Sequence, residues 1–288
     1  MPSRRFNKES SQLVSSLYKI VDTHAHLCDP VFDIDRIEVV RRAQDAGVAA
    51  VISVSETLSD AKRNVQLAAV HPEIRPAAGL YPTCLDLNQA EEMTAYIRKE
   101  CSKIVAIGEV GLDFWVVKKQ TERVIQQEIL AGFINLSMEL DLPLNIHSRS
   151  AGHQTVAMLL KHGARKVQLH AFDGKAKTAL PAVEAGYFFS IPPSTVRSRQ
   201  KQKLVKQLPL SCLLVETDSP VLGPFPGERN EPANAVVSLH AIAQLKNVSM
   251  AQVIETVLDN TLRLYGDRCL KKSSASVLRR PGPDIVVN

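Results

Sequence analysis

An alternation running from residue 20 to residue 264 restricts the fold more than any other feature. Short apolar runs at 20–27, 50–54, 74–80, 104–109, 143–147, 166–170, 187–191 and 212–218 are each followed by a stretch with helical spacing. The helical stretches are 34–46, 58–71, 88–101, 119–140, 151–162, 175–185 and 196–208, and two more, 232–245 and 249–264, follow the eighth run. Within 119–140, Ile125, Ile129, Phe133, Leu136 and Leu140 recur at intervals of three and four and form one apolar stripe. Gly47, Gly163, Gly186 and Pro72 stand where helices should stop. Apolar strands alternating with helices imply a parallel sheet covered on both faces. Eight such units in about 250 residues imply one closed (β/α)8 barrel of the TIM type. An open doubly wound sheet is the alternative, and no G-x-G-x-x-G follows the first strand to favour it.

Composition narrows the class. With 45% hydrophobic residues the chain can fill a core, and no apolar run approaches the roughly 20 residues that span a membrane. No membrane association is expected. Five cysteines, at 28, 84, 101, 212 and 269, show no C-x-x-C pair, which suggests free thiols in a reducing compartment. The first 17 residues lack the apolar centre of a secretory signal. A cytoplasmic protein is expected, with a nuclear one possible in a eukaryote. The net charge of +5 resembles a nucleic-acid signature until it is located: residues 1–18 carry +2 and residues 271–288 carry +3, so 19–270 is balanced. Phosphate recognition must therefore be local. The expected organisation is a flexible extension at 1–18, a barrel at 19–268 and a flexible tail at 269–288. Neither a second domain nor an obligate protein partner is evident.

Active sites of such barrels lie at the C-terminal ends of the strands. The first strand, I-V-D-T-H-A-H-L at 20–27, ends in His24 and His26, which share a face because side chains alternate. The fourth ends in Glu109, the fifth in His147, the sixth in His170 and the eighth in Asp218. Four imidazoles and two carboxylates, with no thiolate, suit zinc, manganese or another divalent ion. Six ligands exceed the needs of one catalytic zinc and suit two metals sharing a bridging group, for which Glu109 is the candidate. Such a centre lowers the pKa of bound water and attracts an anionic substrate. His71, His153, His162 and His240 fall on or beside helices and are read as structural. Arg149, two residues after His147, can grip a phosphate oxygen in bidentate fashion. Arg229 and Asn230 are candidates for fixing the rim. Arg197, Arg199, Lys201, Lys203 and Lys206 read as a solvated helix face or as a track for a nucleic-acid backbone. Trp115, the only tryptophan, can stack on a base or pack the rim.

These residues resemble the TatD-related metal-dependent deoxyribonucleases, within the amidohydrolase-like hydrolases. The segments that carry the resemblance are D-T-H-A-H-L at 22–27, G-E-V-G-L-D-F at 108–114, L-P-L-N-I-H-S-R at 142–149, Q-L-H-A-F-D-G at 168–174, L-V-E-T-D-S-P at 214–220 and R-N-E-P at 229–232. The resemblance implies a two-metal barrel that hydrolyses phosphodiesters, often trimming DNA from a 3′ end. Carried over by motif, His24, His26, Glu109 and Asp218 would hold one metal, and Glu109, His147 and His170 the other. Zinc is the first choice, with magnesium or manganese as alternatives. Glu216 is expected to share its strand face with Asp218; it matches the acidic residue that accompanies the metal ligand in this family and would orient water or a ligand. The expected catalytic groups are thus Glu109, Glu216 and Asp218, and the expected substrate contacts Arg149, Tyr81 and Asn230. Tyr81 marks a departure, because many members have a histidine in a G-x-H-P-H-like motif where this chain reads G-L-Y-P-T at 79–83. A phenol with an ordinary pKa near 10 is a poor proton shuttle but a good donor.

The expected reaction is 3′–5′ exonucleolytic hydrolysis of DNA by a metal-bound hydroxide. Two other classes stay open: hydrolysis of an amide, lactone, aminoacyl ester or small phosphoester at the same metals, and catalytically idle nucleic-acid binding. A substrate panel separates the first, and a steep salt dependence without turnover the second.

Overall fold

A computed structural model describes residues 19–270 of the 288-residue chain. The strands are β1 (Ile20–Ala25), β2 (Val48–Ser53), β3 (Ile74–Ala78), β4 (Ala106–Gly111), β5 (Leu144–His147), β6 (Val167–Leu169), β7 (Phe188–Ile191) and β8 (Leu213–Val215). They pair in chain order, every neighbouring pair parallel. The intervening helices are α1 (Arg36–Asp45), α2 (Leu58–Val70), α3 (Leu87–Glu100), α4 (Gln120–Leu140), α5 (Gly152–Lys161), α6 (Ala176–Glu184) and α7 (Arg199–Gln207). Two more, α8 (Ala235–Lys246) and α9 (Met250–Tyr265), follow β8. The fold is a TIM-type (β/α)8 barrel.

The apolar strand residues divide between two layers, except that β5 and β6 contribute to the outer one only and place the polar Asn145, His147 and Gln168 at their alternate positions. Val48, Val51, Ile107, Phe189, Leu213 and Val215 pack outward with helix residues such as Val39, Met93, Ile97, Phe133 and Leu159. Val21, Ala50, Ile52, Ala106, Phe188 and Leu214 form a separate inner cluster with Leu264 and Tyr265 from the end of α9 and Cys269 from the 3-10 turn that follows it. Truncating Ile52, fully buried there, to alanine should cost about 2–5 kcal/mol.

The seam between β1 and β8 bears directly on the site. Thr23 Oγ1 donates to the Val215 carbonyl at 2.8 Å. Beyond it, the Asp218 N–H donates to the His24 carbonyl and the His26 N–H to the Ser219 carbonyl, both at 2.8 Å. Closing the barrel therefore brings His24, His26 and Asp218 to one place. Gly79, at the exit of β3, permits a second close approach: a Cβ there would lie 2.5 Å from the Gly108 carbonyl carbon and 2.6 Å from the Glu109 oxygen.

Several boundaries differ from expectation for local reasons. The helix expected at 196–208 is split, because Pro192 and Pro193 lead into a 3-10 turn (Pro193–Val196) before Ser198 caps α7. The strand expected at 212–218 ends at Val215, and Asp218 has left extended conformation with φ 55°. Cys269, expected to begin a flexible tail, is instead buried in the inner cluster. The expected extension at 1–18 and all but the first two residues of the tail expected at 269–288 lie outside the described residues. Among those described, no helix is long and apolar enough to cross a membrane, and all five cysteines are free.

Candidate metal centre

The six strand-end residues converge. His24 Nε2 and His26 Nε2 each lie 3.4 Å from Asp218 Oδ1, and 3.7 and 3.4 Å from Glu109 Oε2. The other Glu109 oxygen, Oε1, lies 2.6 Å from His147 Nδ1 and 3.0 Å from His170 Nε2. Glu109 thus turns one oxygen to each half of the cluster. The halves touch through the imidazoles of His24 and His170, which stack with centroids 3.9 Å apart. None of the other four histidines enters a ligand group among the described residues.

What lies behind each imidazole decides its tautomer. Asn145 Nδ2 donates to the Thr23 carbonyl at 2.9 Å, so its Oδ1 must accept, and His24 Nδ1 at 2.8 Å must donate. The lone pair of His24 is then on Nε2, facing the cluster. His147 Nε2 lies 3.1 Å from Asp113 Oδ2, leaving Nδ1 inward. His26 Nδ1 and His170 Nδ1 each lie 3.7 Å from a carboxylate oxygen, of Glu56 and Glu216 respectively. The inward nitrogens of His24 and His147 thereby become acceptors, and His24 and His26 bring their facing nitrogens within 3.3 Å and His147 and His170 theirs within 3.2 Å. Lone pairs held that close to each other and to two carboxylates require a cation between them, either a proton or a metal ion. Imidazole and carboxylate donors without thiolate, backed by oxygens that orient them, fit a divalent ion of the zinc or manganese kind.

The electrostatics point the same way. Burial resists a charge on His26, yet Asp218 and Glu109 push it up to about 9. His147 and His170 are likewise raised against their burial, chiefly by Glu109. Glu109 ionises well below the usual carboxylate range although burial opposes it, because His170 and His147 face it. Asp218 is lowered against its burial by His24 and His26.

The loops are built to hold this arrangement. Asp22, whose side chain the strand pattern puts on the histidine face, takes no part in the ligand groups. Burial pushes it up to about 8, and it accepts from the Thr217 N–H and hydroxyl at 2.9 and 2.5 Å, fixing the chain just before Asp218. Gln126 of α4 donates to the Pro82 carbonyl and accepts from the Asp113 N–H, tying the Tyr81 loop to the Asp113 loop. Ala171 and Asp218 both hold positive φ without being glycine, backbone strain of the kind that accumulates at functional sites.

The remaining candidates divide. Tyr81 and Arg149 line a cavity of about 400 Å³ together with His147, His170 and Asp218. The Tyr81 ring is 5.2 Å from that of His147, and burial raises its phenol further above neutrality. Arg149 enters no ion pair among the described residues and lies over the exposed Trp115, 5.2 Å from the ring centroid. Asn230 does not face the cavity. It is 1% exposed, its amide donates to the Thr217 and Val221 carbonyls and its oxygen accepts from Asn234, so it braces the Asp218 loop from behind instead of meeting substrate. Arg229 is paired with Asp35. Glu216 and Asp218 share no strand face, because β8 ends at Val215, before both of them. Its oxygens accept from the Ala171 N–H and the Ser190 hydroxyl behind His170. A larger surface groove of about 560 Å³, lined by Gln127, His153 and Met158 among others, includes none of the cluster.

Asn145, Asp113 and Glu56 went unread in the sequence. Asn145 had a signal, since it sits two residues before His147 on a strand and therefore on the same face. Asp113 and Glu56 follow their strands in loops, where no periodicity announces them.

The chain is similar to known proteins over most of its length. The model of the TatD related DNase family matches residues 21–266. Deoxyribonuclease TATDN3 of Homo sapiens is 42% identical over 258 residues, covering 85% of this chain and 94% of the relative. The metal-dependent hydrolase YabD of Bacillus subtilis is 33% identical over 254 residues, covering 85% and 98%. Among solved structures, YJJV, a TatD homolog from Escherichia coli, superposes with a TM-score of 0.79 at 28% identity, covering 85% of this chain and 97% of its own. With nearly the whole barrel matched, and the ligand cluster at its strand ends, the chain belongs to the TatD related DNase family of metal-dependent hydrolases.

Proposed function

We propose that the chain is a deoxyribonuclease that hydrolyses phosphodiesters at a two-ion centre and trims single-stranded DNA from its 3′ end. The observation that carries this reading is the division of Glu109, with Oε2 toward His24 and His26 and Oε1 toward His147 and His170. One carboxylate shared between two pairs of imidazoles is the arrangement a bridged pair of ions needs. When bound, two divalent ions would supply activated water and offset the negative charge that builds up on phosphorus.

The chain's own residues do the rest. His24, His26 and Asp218 hold one end of the centre, and His147 and His170 the other, with Asp113 and Glu216 keeping the latter two imidazoles in their working tautomers. Arg149 grips a non-bridging phosphate oxygen, and Trp115 beneath it offers a face for a terminal base. Tyr81 remains protonated at neutral pH, since burial raises its phenol; it donates a hydrogen bond to the phosphate and does not shuttle a proton. A cavity of about 400 Å³, near the small end of ligand sites, receives a strand end and excludes a duplex. The relative from Homo sapiens is named a deoxyribonuclease, which supports DNA as the substrate.

Cleavage of a 5′-labelled single-stranded oligonucleotide tests the proposal. The chain reconstituted with zinc, manganese or magnesium should shorten it progressively from the 3′ end, and Asp218→Asn should slow that by about 10³-fold or more with folding intact. Undiminished cleavage by Asp218→Asn would remove the mechanism. Absence of cleavage by the metal-loaded chain would transfer the activity to a carbonyl or small phosphoester substrate.

A further inference from the structure

Of the five cations between Arg197 and Lys206, four are exposed, whereas Lys201 is partly buried and lines the cavity beside His170 and Asp218. Its ammonium donates to the Ala171 carbonyl at 2.7 Å. Ala171 follows the ligand His170 directly, holds φ 39°, and has its N–H fixed by Glu216 at 2.8 Å. The Lys201 ammonium is therefore anchored one residue away from the ligand cluster, on the β7 side, while Arg149 enters the same cavity from the β5 side. β6, which leads into His170, lies between these two strands.

Among the described residues that ammonium makes no second hydrogen bond. Among the described residues Lys201 has no carboxylate within ion-pair distance; Oδ2 of Asp173, which lines the same cavity, accepts from the Ser150 N–H at 2.9 Å. Glu216, Asp173 and Asp218 favour the charge from a distance without contacting it, yet a partly desolvated cation with no anion in contact is costly, and a neutral side chain would suffice merely to hold a carbonyl. The residue also sits in the first turn of α7, where the helix dipole opposes a positive charge and where no acidic residue balances it. Burial draws its pKa below the ordinary lysine range.

We propose that Lys201 is a phosphate-binding residue, holding the phosphate adjacent to the one at the metal ligands while Arg149 holds the scissile one. The proposal rests on the phosphodiesterase reading and narrows it to substrates that present at least two consecutive phosphates. Two substrates separate this role from simple support of Ala171: a single-stranded oligonucleotide, and bis(p-nitrophenyl) phosphate, which has one phosphate only. With the metal-loaded full chain, Lys201→Gln should raise KM for the oligonucleotide by about tenfold to a hundredfold and leave kcat, and KM for bis(p-nitrophenyl) phosphate, near wild type. Lys201→Arg should restore most of the oligonucleotide KM. By fluorescence anisotropy, the salt slope of oligonucleotide binding should fall by about 0.7 in Lys201→Gln, one single-strand phosphate contact. Metal affinity should not change. Equal oligonucleotide KM and salt slope in wild type and Lys201→Gln would overturn the proposal while leaving the nuclease standing. Parallel losses on both substrates with weakened metal binding would also overturn it, making Lys201 a brace for His170. A wild type that hydrolyses bis(p-nitrophenyl) phosphate but neither binds nor cuts the oligonucleotide would overturn both this role and the nuclease reading.

Discussion

The two halves of the ligand cluster are constructed differently. At the barrel seam, His24 and His26 meet Asp218 directly, and what stands behind the imidazoles is weak in charge: the neutral amide of Asn145 for His24, and for His26 a half-exposed Glu56 at 3.7 Å. On the other side, His147 and His170 have no carboxylate of their own apart from the shared Glu109, and each is backed by a buried one, Asp113 and Glu216. One half has its negative charge in contact, the other has it one bond further out. The cavity opens on the second half together with Asp218, and His24 is fully buried. An ion at the seam would be enclosed and held by direct charge. An ion between His147 and His170 would face substrate and depend on residues that never touch it.

Glu109→Gln should have the largest effect, because it alone serves both halves. Turnover should fall by about 10³-fold or more, and both ions should bind more weakly in a calorimetric titration. Retention of one ion at wild-type affinity would break the claim that Glu109 is shared. Glu216→Gln and Asp113→Asn should come next, each lowering affinity for the ion at His147 and His170 by about 10–100-fold and sparing the seam ion. Equal weakening of both ions would erase the distinction between the halves.

Protonation sharpens the contrast. The folded metal-free protein holds His26 up to about 9 against an ordinary 6.5, so its protonated form contributes stability that is complete below pH 6.5 and lost as pH rises through 9. The melting temperature of the metal-free chain should accordingly fall across that window. The metal-loaded chain competes with the same proton, so the stabilisation by added metal should grow from pH 6.5 to 9. A gap that narrows would contradict the placement of His26 among the ligands.

The smallest expected effect lies beneath the centre. The Tyr265 hydroxyl donates to Gln168 at 2.6 Å and accepts from Asn145 at 3.3 Å, and Gln168 continues through Ser190 to Glu216. This buried chain of polar groups links the residue behind His24 to the one behind His170. Tyr265→Phe should cost about 1–3 kcal/mol of stability by leaving Gln168 unsatisfied, measurable by urea unfolding. A change below a few tenths of a kcal/mol would show that the chain is not a coupled network.

The strand-end cluster was legible in the sequence because the fold confines it: a barrel offers its chemistry at strand ends, and His24, His26, Glu109, His147 and His170 are read from apolar runs that stop there. Asp218 was legible as a residue and not as a geometry, since nothing in V-E-T-D-S-P signals that the strand ends at Val215 and that Asp218 turns to φ 55°. Glu216 was assigned to the wrong face for that reason. The backing residues are products of tertiary packing, in which Asn145 on β5 reaches His24 on β1 across 121 positions of sequence. Lys201 was hidden in a run of cations that local pattern treats alike, and Cys269 was separated from the barrel only because no periodic element contains it.

Metal stoichiometry tests the two-ion centre most directly. Calorimetric titration of the metal-free full-length chain with Mn(II) or Zn(II) should resolve two ions per chain, the seam ion weakened selectively by Asp218→Asn and the other by Glu216→Gln. A single ion per chain, or two ions that both respond to either substitution alike, would contradict a divided centre bridged by Glu109.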